Sequence, residues 1–272
     1  MKTKLIIPVL LLFIAFLAGA DPADAQEEWA LLKREVKIGA ETFGYRVYVP
    51  INHTLKTKLP VMLYLHNNGA NGTDNEKQIK GFDKVIASNP KIFNFIIVFP
   101  QARPNSYWIG LQTEQAIKAL DQTVTEFNGD EQRLYLAGHS LGAYGTWTTA
   151  VLYPNKFAAL VPIAGGIVPP FKLSEKAKLF FPKQIIDILD APNPYEALAS
   201  KIGNTPVWDF HGADDEAVPV KESISIVEAL RKNGNKNVNY TEYVKTDHNS
   251  ALFKAFSEAA LYEWLDKQRL RK

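Results

Sequence analysis

Apolar runs separated by polar turns predict that strands make up much of this chain. Eight such runs follow one another, and several are apolar along almost their whole length, as in strands buried on both faces of a sheet. They cover residues 30–38, 42–50, 59–67, 93–100, 133–138, 157–165, 206–212 and 238–244. The first two lie on either side of Gly39 and predict an antiparallel pair at the edge of the sheet.

Helical periodicity separates the later strands. Residues 113–127, for example, place Ala116, Ile117, Leu120 and Val124 on one face. The predicted helices cover 74–88, with Asp74 or Asn75 as N-cap, 113–127, 221–234 and 250–271, and another follows Ser140. Alternating strands and helices predict the α/β fold class: an eight-stranded, mostly parallel, doubly wound sheet with helices on both faces.

Residues 167–204 interrupt this alternation between the sixth and seventh strands. Prolines at 169, 170, 182, 192 and 194 exclude one continuous helix, and the segment is long for a connection. We interpret it as an insertion over the carboxyl edge of the sheet. Either it is a lid or substrate wall, with Phe171, Phe180 and Phe181 as contacts, or it is a surface excursion whose aromatic residues fill their own small core.

The first 25 residues resemble a secretory signal peptide. Two lysines precede an apolar run from Leu5 to Ala18, and Ala23-Asp24-Ala25 forms a small-x-small cleavage site. The alternative is an uncleaved membrane anchor, but the run is shorter than the roughly 20 residues of a bilayer span. We therefore predict cleavage after Ala25, a mature domain over residues 26–272, a secreted or periplasmic location and no stable membrane anchor.

Composition narrows the classes of function. The 272 residues carry a formal net charge of +2, which gives no argument for a nucleic-acid partner. The chain has no cysteine, which excludes disulfides, thiol catalysis and cysteine-ligated metals. Oligomeric state is left open.

Ser140 stands in the sequence Gly138-His139-Ser140-Leu141-Gly142, at the junction of a strand and a helix. This G-x-S-x-G pattern is typical of a nucleophile elbow, in which the flanking glycines relieve clashes and the serine Oγ stands above the sheet edge. The alternative is a tight turn without chemistry. Because ligands of open α/β sheets bind beyond the carboxyl ends of the strands, partners for Ser140 are expected after other strands.

Of the five histidines, only His248 follows both Ser140 and the Asp-rich loop after the seventh strand. The chain order serine, acid, histidine is that of this kind of elbow, so we predict His248 as the general base rather than a solvated loop histidine. The acid is Asp214 or Asp215, or, less favoured, Asp209 or Asp247. The residues alone do not choose among these four carboxylates.

Three stretches together resemble the α/β-hydrolase esterase family: "LAGHSLGAYGTWTTAVLYPNKFAALVPIAGG", "TPVWDFHGADDEAVPV" and "LYLHNNGANGTDNEKQIKGF". The likeness is to its secreted predicted-peptidase and phospholipase/carboxylesterase branch, near polyhydroxybutyrate-depolymerase-like and feruloyl esterases, and it covers roughly residues 30–166 and 204–266. The family pattern H-G-x-x-D-x-x-V-P falls on residues 211–219 and implies that Asp215 is the acid. Asp247 precedes His248, where that family usually has glycine.

The resemblance also implies an oxyanion hole. Its donors would be the backbone N–H groups of Leu141 and Asn68, in a loop where Asn67 replaces the glycine of the family's H-G-x-G pattern. Asparagine tolerates the left-handed backbone region better than most residues, which would preserve the loop. We also assign Trp108 and His139 to substrate binding; the alternative for Trp108 is a half-buried loop residue.

These residues predict a serine carboxylic ester hydrolase that uses an acyl-enzyme and the triad Ser140, Asp215 and His248. The expected substrates are short-chain esters or esters linked to plant polysaccharide. No cofactor or metal is required, since the spacings of His66, His139 and His211 match no ligand motif. The rival hypotheses are a serine peptidase with the same triad and a non-catalytic binding protein that retains only the fold.

Overall fold

Eight strands form one sheet within the residues that the computed structural model describes, which are 29–50, 53–88, 93–169 and 173–270. The predicted signal peptide and Phe171 lie outside these residues. The strands are β1 (Trp29–Ile38), β2 (Glu41–Pro50), β3 (Leu59–Leu65), β4 (Ile96–Pro100), β5 (Gly129–His139), β6 (Ala159–Ile163), β7 (Val207–Gly212) and β8 (Val238–Tyr243). Each predicted apolar run overlaps one of them.

The sheet order is β1-β2-β4-β3-β5-β6-β7-β8. The β1–β2 and β2–β4 pairs are antiparallel, and the pairs from β4 to β8 are parallel. The fold-class prediction is therefore confirmed, including the antiparallel hairpin at one edge. Because β3 to β8 run in the same direction, the loops that follow them open on one edge of the sheet, where ligands bind in such folds.

Helices cover both faces of this sheet. In the described part of the chain they are α1 (Phe82–Ser88), α2 (Leu111–Glu126), α3 (Leu141–Leu152), α4 (Glu175–Lys178), α5 (Lys183–Leu189), α6 (Pro194–Ile202), α7 (Lys221–Lys232), α8 (Ser250–Ser257) and α9 (Ala259–Leu265). One apolar core packs α2, α3 and α5–α7 against the sheet, and a second packs α1, α8 and α9 against the other face.

Two predicted helices are divided. Residues 74–88 form a short 3₁₀ turn at Lys77–Ile79 and then α1, because Gly81 adopts a φ of +91° that interrupts the helix. Residues 250–271 form α8 and α9, because Glu258 between them is extended, with φ −73° and ψ 107°. The periodicity was correct in both segments, but it did not mark where the chain turns.

The segment between β6 and β7 contains three short helices, α4 to α6. Asn193 caps α6 by accepting hydrogen bonds from the N–H groups of Tyr195 and Glu196, and Pro194 occupies its first turn. Buried Ile185, Ile188 and Leu198 join this segment to the core beside α3 and α7. The insertion is thus packed onto the body of the protein rather than extended from it.

Candidate active site

Ser140 occupies a strained turn between β5 and α3. Its φ of 57° and ψ of −118° lie in a region that residues with a side chain rarely adopt. The two flanking glycines are required by close approach: a Cβ on Gly138 would lie 2.1 Å from Gly142 O, and one on Gly142 would lie 1.8 Å from Leu65 O. Close packing of the backbone therefore fixes the position of Ser140 at the carboxyl edge of the sheet.

Two backbone N–H groups lie at helix starts beside Ser140. Leu141 is the first residue of α3, and Asn68 is the first residue of a 3₁₀ turn, positions where N–H groups have no intrahelical acceptor. Both residues line the same cavity as Ser140. Asn67 is extended, with φ −74° and ψ 170°, so this loop does not need the left-handed backbone that we expected asparagine to provide.

Asp215 lies in the loop after β7, and its side chain is fully buried. Its Oδ1 accepts hydrogen bonds from the N–H groups of Ala217 (2.9 Å) and Val218 (2.8 Å). Its Oδ2 lies 2.6 Å from His248 Nδ1 and 3.2 Å from His211 Nε2. Burial alone would raise the pKa of Asp215, but hydrogen bonds from His211, His248 and Val218 outweigh it and hold the pKa below its usual range.

The carboxylate of Asp215 fixes the tautomer of His248. An ionised carboxylate can only accept, so His248 Nδ1 carries the proton of their 2.6 Å hydrogen bond. In the neutral ring Nε2 is then unprotonated and able to take a proton. The backbone of His248 is held as well, because His139 Nε2 lies 2.9 Å from its carbonyl oxygen. His248 is thereby tied to the residue that directly precedes Ser140.

The other candidate acids have different surroundings. Asp214 is exposed, and its backbone N–H donates to Thr246 O. Asp247 Oδ1 accepts from the N–H groups of Asn249 and Ser250, so it caps the start of α8. Asp209 is buried inside β7. Of the four carboxylates that the residues left open, the structure brings only Asp215 to the imidazole of His248.

His66 and His139 are both buried, and burial lowers the pKa of each to about 4, so their rings are neutral at pH 7. His66 Nε2 accepts from the N–H of Ala102 at 3.0 Å. His139 was assigned to substrate binding, but its ring lies in the interior, between His248 O and the side-chain amide of Asn67. It does not line the cavity, because the backbone of the elbow turns its side chain away from Ser140.

A cavity of about 440 Å³ adjoins Ser140. Trp108 contributes to its wall but is itself buried, with its indole N–H donating to His66 O at 3.0 Å. The insertion contributes Phe181, Ile185 and Leu189, whereas Phe180 is 72% exposed and is not part of the wall. The wall is mostly apolar, and its volume falls in the range of small-molecule sites.

Glu222, in the first turn of α7, holds the base of the insertion. Its Oε1 accepts from Tyr195 OH at 2.6 Å, and its Oε2 accepts from the backbone N–H groups of Ile167 (3.3 Å) and Val168 (3.2 Å). From α3, Tyr144 OH donates to the carbonyl oxygen of the same Val168 at 3.3 Å. These bonds connect the insertion to both helices that flank the site.

The sequence analysis missed a buried polar chain behind Asp215. Ser223 Oγ lies 2.7 Å from Asp209 Oδ1 and 2.7 Å from His211 Nδ1, and all three side chains are buried. His211 Nε2 lies 3.0 Å from Val218 O and 3.2 Å from Asp215 Oδ2. The histidine of the H-G-x-x-D pattern is recognisable in the sequence. No sequence pattern links it to Ser223, which lies in α7.

Ser140 and His248 are not joined by a hydrogen bond. Across the described residues, the Ser140 hydroxyl has no hydrogen-bond partner, although Ser140 lines the cavity. Catalytic hydrogen bonds are often formed only once substrate is bound. In that same part of the chain, no group of three His, Asp or Glu side chains is arranged to hold a metal ion, and no helix is long and apolar enough to cross a membrane.

The strand order, with a strained serine between β5 and α3, is that of α/β-hydrolases, and this is the class of protein that the fold defines. Residues 108–270, more than half of the chain, match the prolyl oligopeptidase family of peptidases. The chain belongs to that family. The matched segment contains Ser140, Asp215 and His248.

Individual relatives confirm the predicted likeness to esterases. A bifunctional acetylxylan esterase/xylanase of Neocallimastix patriciarum is 29% identical over 137 residues, which are 49% of this chain and 19% of the relative. An uncharacterized secreted protein of Arthroderma benhamiae is 26% identical over 201 residues, 67% of this chain and 20% of that protein. The chain thus spans about a fifth of the length of each.

A solved structure agrees with these relatives. The crystal structure of a thermostable esterase superposes with a TM-score of 0.69 and 29% sequence identity, over 88% of this chain and 63% of the esterase. These matches confirm the prediction that the chain is an α/β-hydrolase related to esterases. The family match shows that it is related to peptidases as well.

Proposed function

We propose that the chain is a serine carboxylic ester hydrolase, with Ser140 as nucleophile, His248 as general base and Asp215 as the acid that orients it. One observation carries the proposal: the 2.6 Å contact between His248 Nδ1 and Asp215 Oδ2, at the sheet edge where Ser140 occupies a strained elbow. A carboxylate on Nδ1 leaves Nε2 free to accept the serine proton.

In the first half of the reaction, Ser140 Oγ attacks the ester carbonyl carbon while its proton passes to His248 Nε2. The carbonyl oxygen becomes an oxyanion, and the N–H groups of Leu141 and Asn68 are its proposed donors. The C–O bond to the alcohol then breaks, and the imidazolium of His248 protonates the departing oxygen. The product of this half is an acyl ester on Ser140.

In the second half, water takes the place of the alcohol. His248 Nε2 removes a proton from water as the water oxygen attacks the acyl carbon, and the same two N–H groups hold the new oxyanion. Collapse of this intermediate returns the proton to Ser140 Oγ and releases the carboxylic acid. The ionised Asp215 stabilises the imidazolium of His248 in both halves.

The cavity supports esters that carry an apolar group, such as short aliphatic or aromatic acyl groups, including those linked to plant polysaccharide. Its volume of about 440 Å³ accepts more than an acetyl group, and Phe181, Ile185 and Leu189 give it an apolar wall. We propose that the insertion forms this substrate wall. Action outside the cytoplasm is supported by the pattern of residues 1–25 and by the secreted relative.

Hydrolysis of p-nitrophenyl acetate, p-nitrophenyl butyrate and methyl ferulate by the wild type and Ser140→Ala tests the proposal. We expect the wild type to cleave these esters and Ser140→Ala to lose about 10⁵–10⁶ in kcat, as removal of a catalytic serine does. A fluorophosphonate probe should label the wild type at Ser140. Ser257→Ala is the control, because Ser257 is an exposed residue of α8 whose hydroxyl bonds only its own helix. Equal turnover by Ser140→Ala and the wild type would exclude this mechanism.

A serine peptidase is the second candidate, favoured by the family to which residues 108–270 belong. The same three side chains would perform the same acyl transfer on an amide bond. A panel of proline- and alanine-containing peptide p-nitroanilides, measured beside the esters, decides between them. A higher kcat/KM for any of these peptides than for the best ester would make the peptidase the main activity.

A further inference from the structure

We propose that Asp209, Ser223 and His211 form a positioning unit that holds the carboxylate of Asp215, with Asp209 present as the neutral acid. The proposal rests on the proposed ester hydrolase function, because it assigns a support to one member of that site. It adds three residues that would not contact substrate and would act through Asp215.

The surroundings of His211 fix the position of one proton. Nε2 lies 3.0 Å from the carbonyl oxygen of Val218 and 3.2 Å from Asp215 Oδ2. Both atoms can only accept a hydrogen bond, so Nε2 carries a proton in either charge state of the ring. Nε2 is hydrogen-bonded to Val218 O, and its proton also lies close to Asp215 Oδ2, the oxygen that accepts from His248. His211 is therefore a second positively polarised group at that oxygen.

The other ring nitrogen leads to Ser223. The hydroxyl of Ser223 has a single proton, yet its Oγ lies 2.7 Å from both His211 Nδ1 and Asp209 Oδ1. If His211 is neutral, Nδ1 accepts the Ser223 proton, and Asp209 must then be protonated to donate to Ser223 Oγ. If Asp209 is ionised, Ser223 donates to it instead, and His211 must be an imidazolium. Both forms contain the same number of protons.

Burial favours the first form. Asp209 is 1% exposed, and its second oxygen, Oδ2, is buried without a hydrogen-bond partner in the described chain. A carboxylate in such a place leaves part of its charge unpaired, which costs much more free energy than an unpaired neutral carbonyl. Burial also raises the pKa of Asp209 to about 7, against smaller opposing effects of Ser223 and His211. Burial alone would lower the pKa of His211, but Asp215 and the charge of Asp209 outweigh it and raise this pKa as well, so the unpaired Oδ2 of Asp209 decides between the two forms.

The unit places a second imidazole against the carboxylate of Asp215. Two backbone N–H groups bind Oδ1 and His248 binds Oδ2, while His211 Nε2 lies 3.2 Å from Oδ2. Without His211, Oδ2 would have only the imidazole of His248 as partner, and rotation of the carboxylate would carry His248 Nε2 away from Ser140. We therefore expect loss of the unit to lower kcat and to leave KM nearly unchanged, because none of its residues lines the cavity.

Ser223→Ala, Asp209→Ala and Asp209→Asn test the unit, with p-nitrophenyl butyrate as substrate. We expect Ser223→Ala and Asp209→Ala to lower kcat by about ten- to a hundred-fold, the range seen when outer partners of metal-site ligands are removed. KM should change less than threefold. Asp209→Asn should restore kcat to within about threefold of the wild type, because its amide can donate to Ser223 Oγ as the neutral acid does.

A second readout does not depend on hydrolysis. The proton between His248 Nδ1 and Asp215 should give a downfield ¹H NMR resonance, and we expect it to shift in Ser223→Ala and to stay in place in Asp209→Asn. Wild-type kcat and an unshifted resonance in both alanine variants would overturn the unit. An Asp209→Asn variant as slow as Asp209→Ala would overturn the neutral-acid assignment.

These outcomes are distinct from failure of the proposed function. If the chain hydrolyses no ester, the wild type is inactive while the resonance still reports on the unit. Asp209→Asn replaces a carboxyl oxygen by an amide nitrogen without a change in side-chain size. It therefore keeps the test decisive if the alanine variants do not fold. Melting temperatures of all variants, with Ser257→Ala as control, separate lost stability from lost orientation.

Discussion

The loops that carry Ser140 and Asp215 end at the same edge of the sheet, but they are held by different interactions. Ser140 is positioned by backbone: its turn is strained, and Gly138 and Gly142 allow contacts that no side chain would permit. Asp215 is positioned by three hydrogen bonds, two from backbone N–H groups and one from His248, and by His211 Nε2, which lies 3.2 Å from its Oδ2. A change on the serine side should therefore damage the fold, and a change on the acid side should damage orientation within an intact fold.

The largest effect is expected for Gly142→Ala on the serine side. Its Cβ would lie 1.8 Å from Leu65 O, a backbone atom of the adjacent strand, so β3 and α3 would have to separate. We expect the free energy of unfolding to fall by more than about 3 kcal/mol, measured by urea denaturation. Gly39→Ala is the control, since its φ of +57° is unfavourable for alanine but no atom lies within 4 Å of the new Cβ, and it should cost about 1–2 kcal/mol. Equal losses would contradict the role of close packing.

On the acid side, Asp215→Asn should leave the fold intact and remove most activity. The amide keeps the size of the carboxylate but cannot stabilise the imidazolium of His248, and it allows the wrong tautomer. We expect kcat to fall by about 10³–10⁴ with the melting temperature changed by a few degrees at most. The adjacent and exposed Asp214→Asn is the matched control and should keep wild-type kcat. A larger loss in Asp214→Asn than in Asp215→Asn would reverse the assignment.

A smaller effect is expected where the insertion meets the cavity. Ile185→Trp places an indole in the space beside Ser140, so kcat/KM for methyl ferulate should fall by about ten- to a hundred-fold. The rate with p-nitrophenyl acetate should change less than threefold, since an acetyl group needs little of the cavity. Leu179→Trp, at a position 84% exposed on the same insertion, is the control. Proportional losses on both substrates would show that the insertion is not a substrate wall.

The smallest effect concerns two buried carboxyl groups with opposite pH dependence. Asp209 has its pKa raised from 3.8 to about 7 by burial, so the folded state binds its proton more tightly than the unfolded chain does. Its contribution to stability is present below pH 4 and is lost as the pH rises toward 7. Asp215 has a lowered pKa, so its contribution is present above pH 4 and is lost as the pH falls.

Urea denaturation of the wild type and Asp209→Asn between pH 5 and pH 8 measures the first contribution. Asparagine does not titrate, so the stability of the wild type relative to the variant should decrease as the pH rises through this window. A difference that stays constant with pH would mean that Asp209 does not change its protonation state there.

Much of the fold followed from the sequence because apolar runs and helical periodicity are local signals. The eight strands and the elbow at Ser140 belong to this group, since a strand, a serine between glycines and a helix are consecutive in the chain. Helix ends were less accurate, as at Gly81 and Glu258, because a single residue with an unusual backbone conformation does not change the periodicity around it.

Parts of the site depend on contacts between distant segments, and these were not predictable. The choice of Asp215 over Asp214 needed a family resemblance, because two adjacent aspartates look alike until the loop is folded. His139 was assigned to substrate binding, whereas its ring turns inward toward His248 O, 109 residues away. No sequence pattern pointed to Ser223, because its contacts with Asp209 and His211 of β7 exist only in the folded chain.

The first turn of α7 carries two neighbouring residues with separate tasks. Glu222 holds the base of the insertion, and Ser223 bonds Asp209 and His211 behind the acid. One turn of helix is nearly rigid, so the shape of the cavity beside Ser140 and the alignment of the Asp215 carboxylate share a single anchor. If the insertion were remodelled for a new ester, the protein would keep its turnover only if the first turn of α7 kept its position. The junction between the insertion and α7 is therefore the place where engineered specificity and catalytic rate would come into conflict.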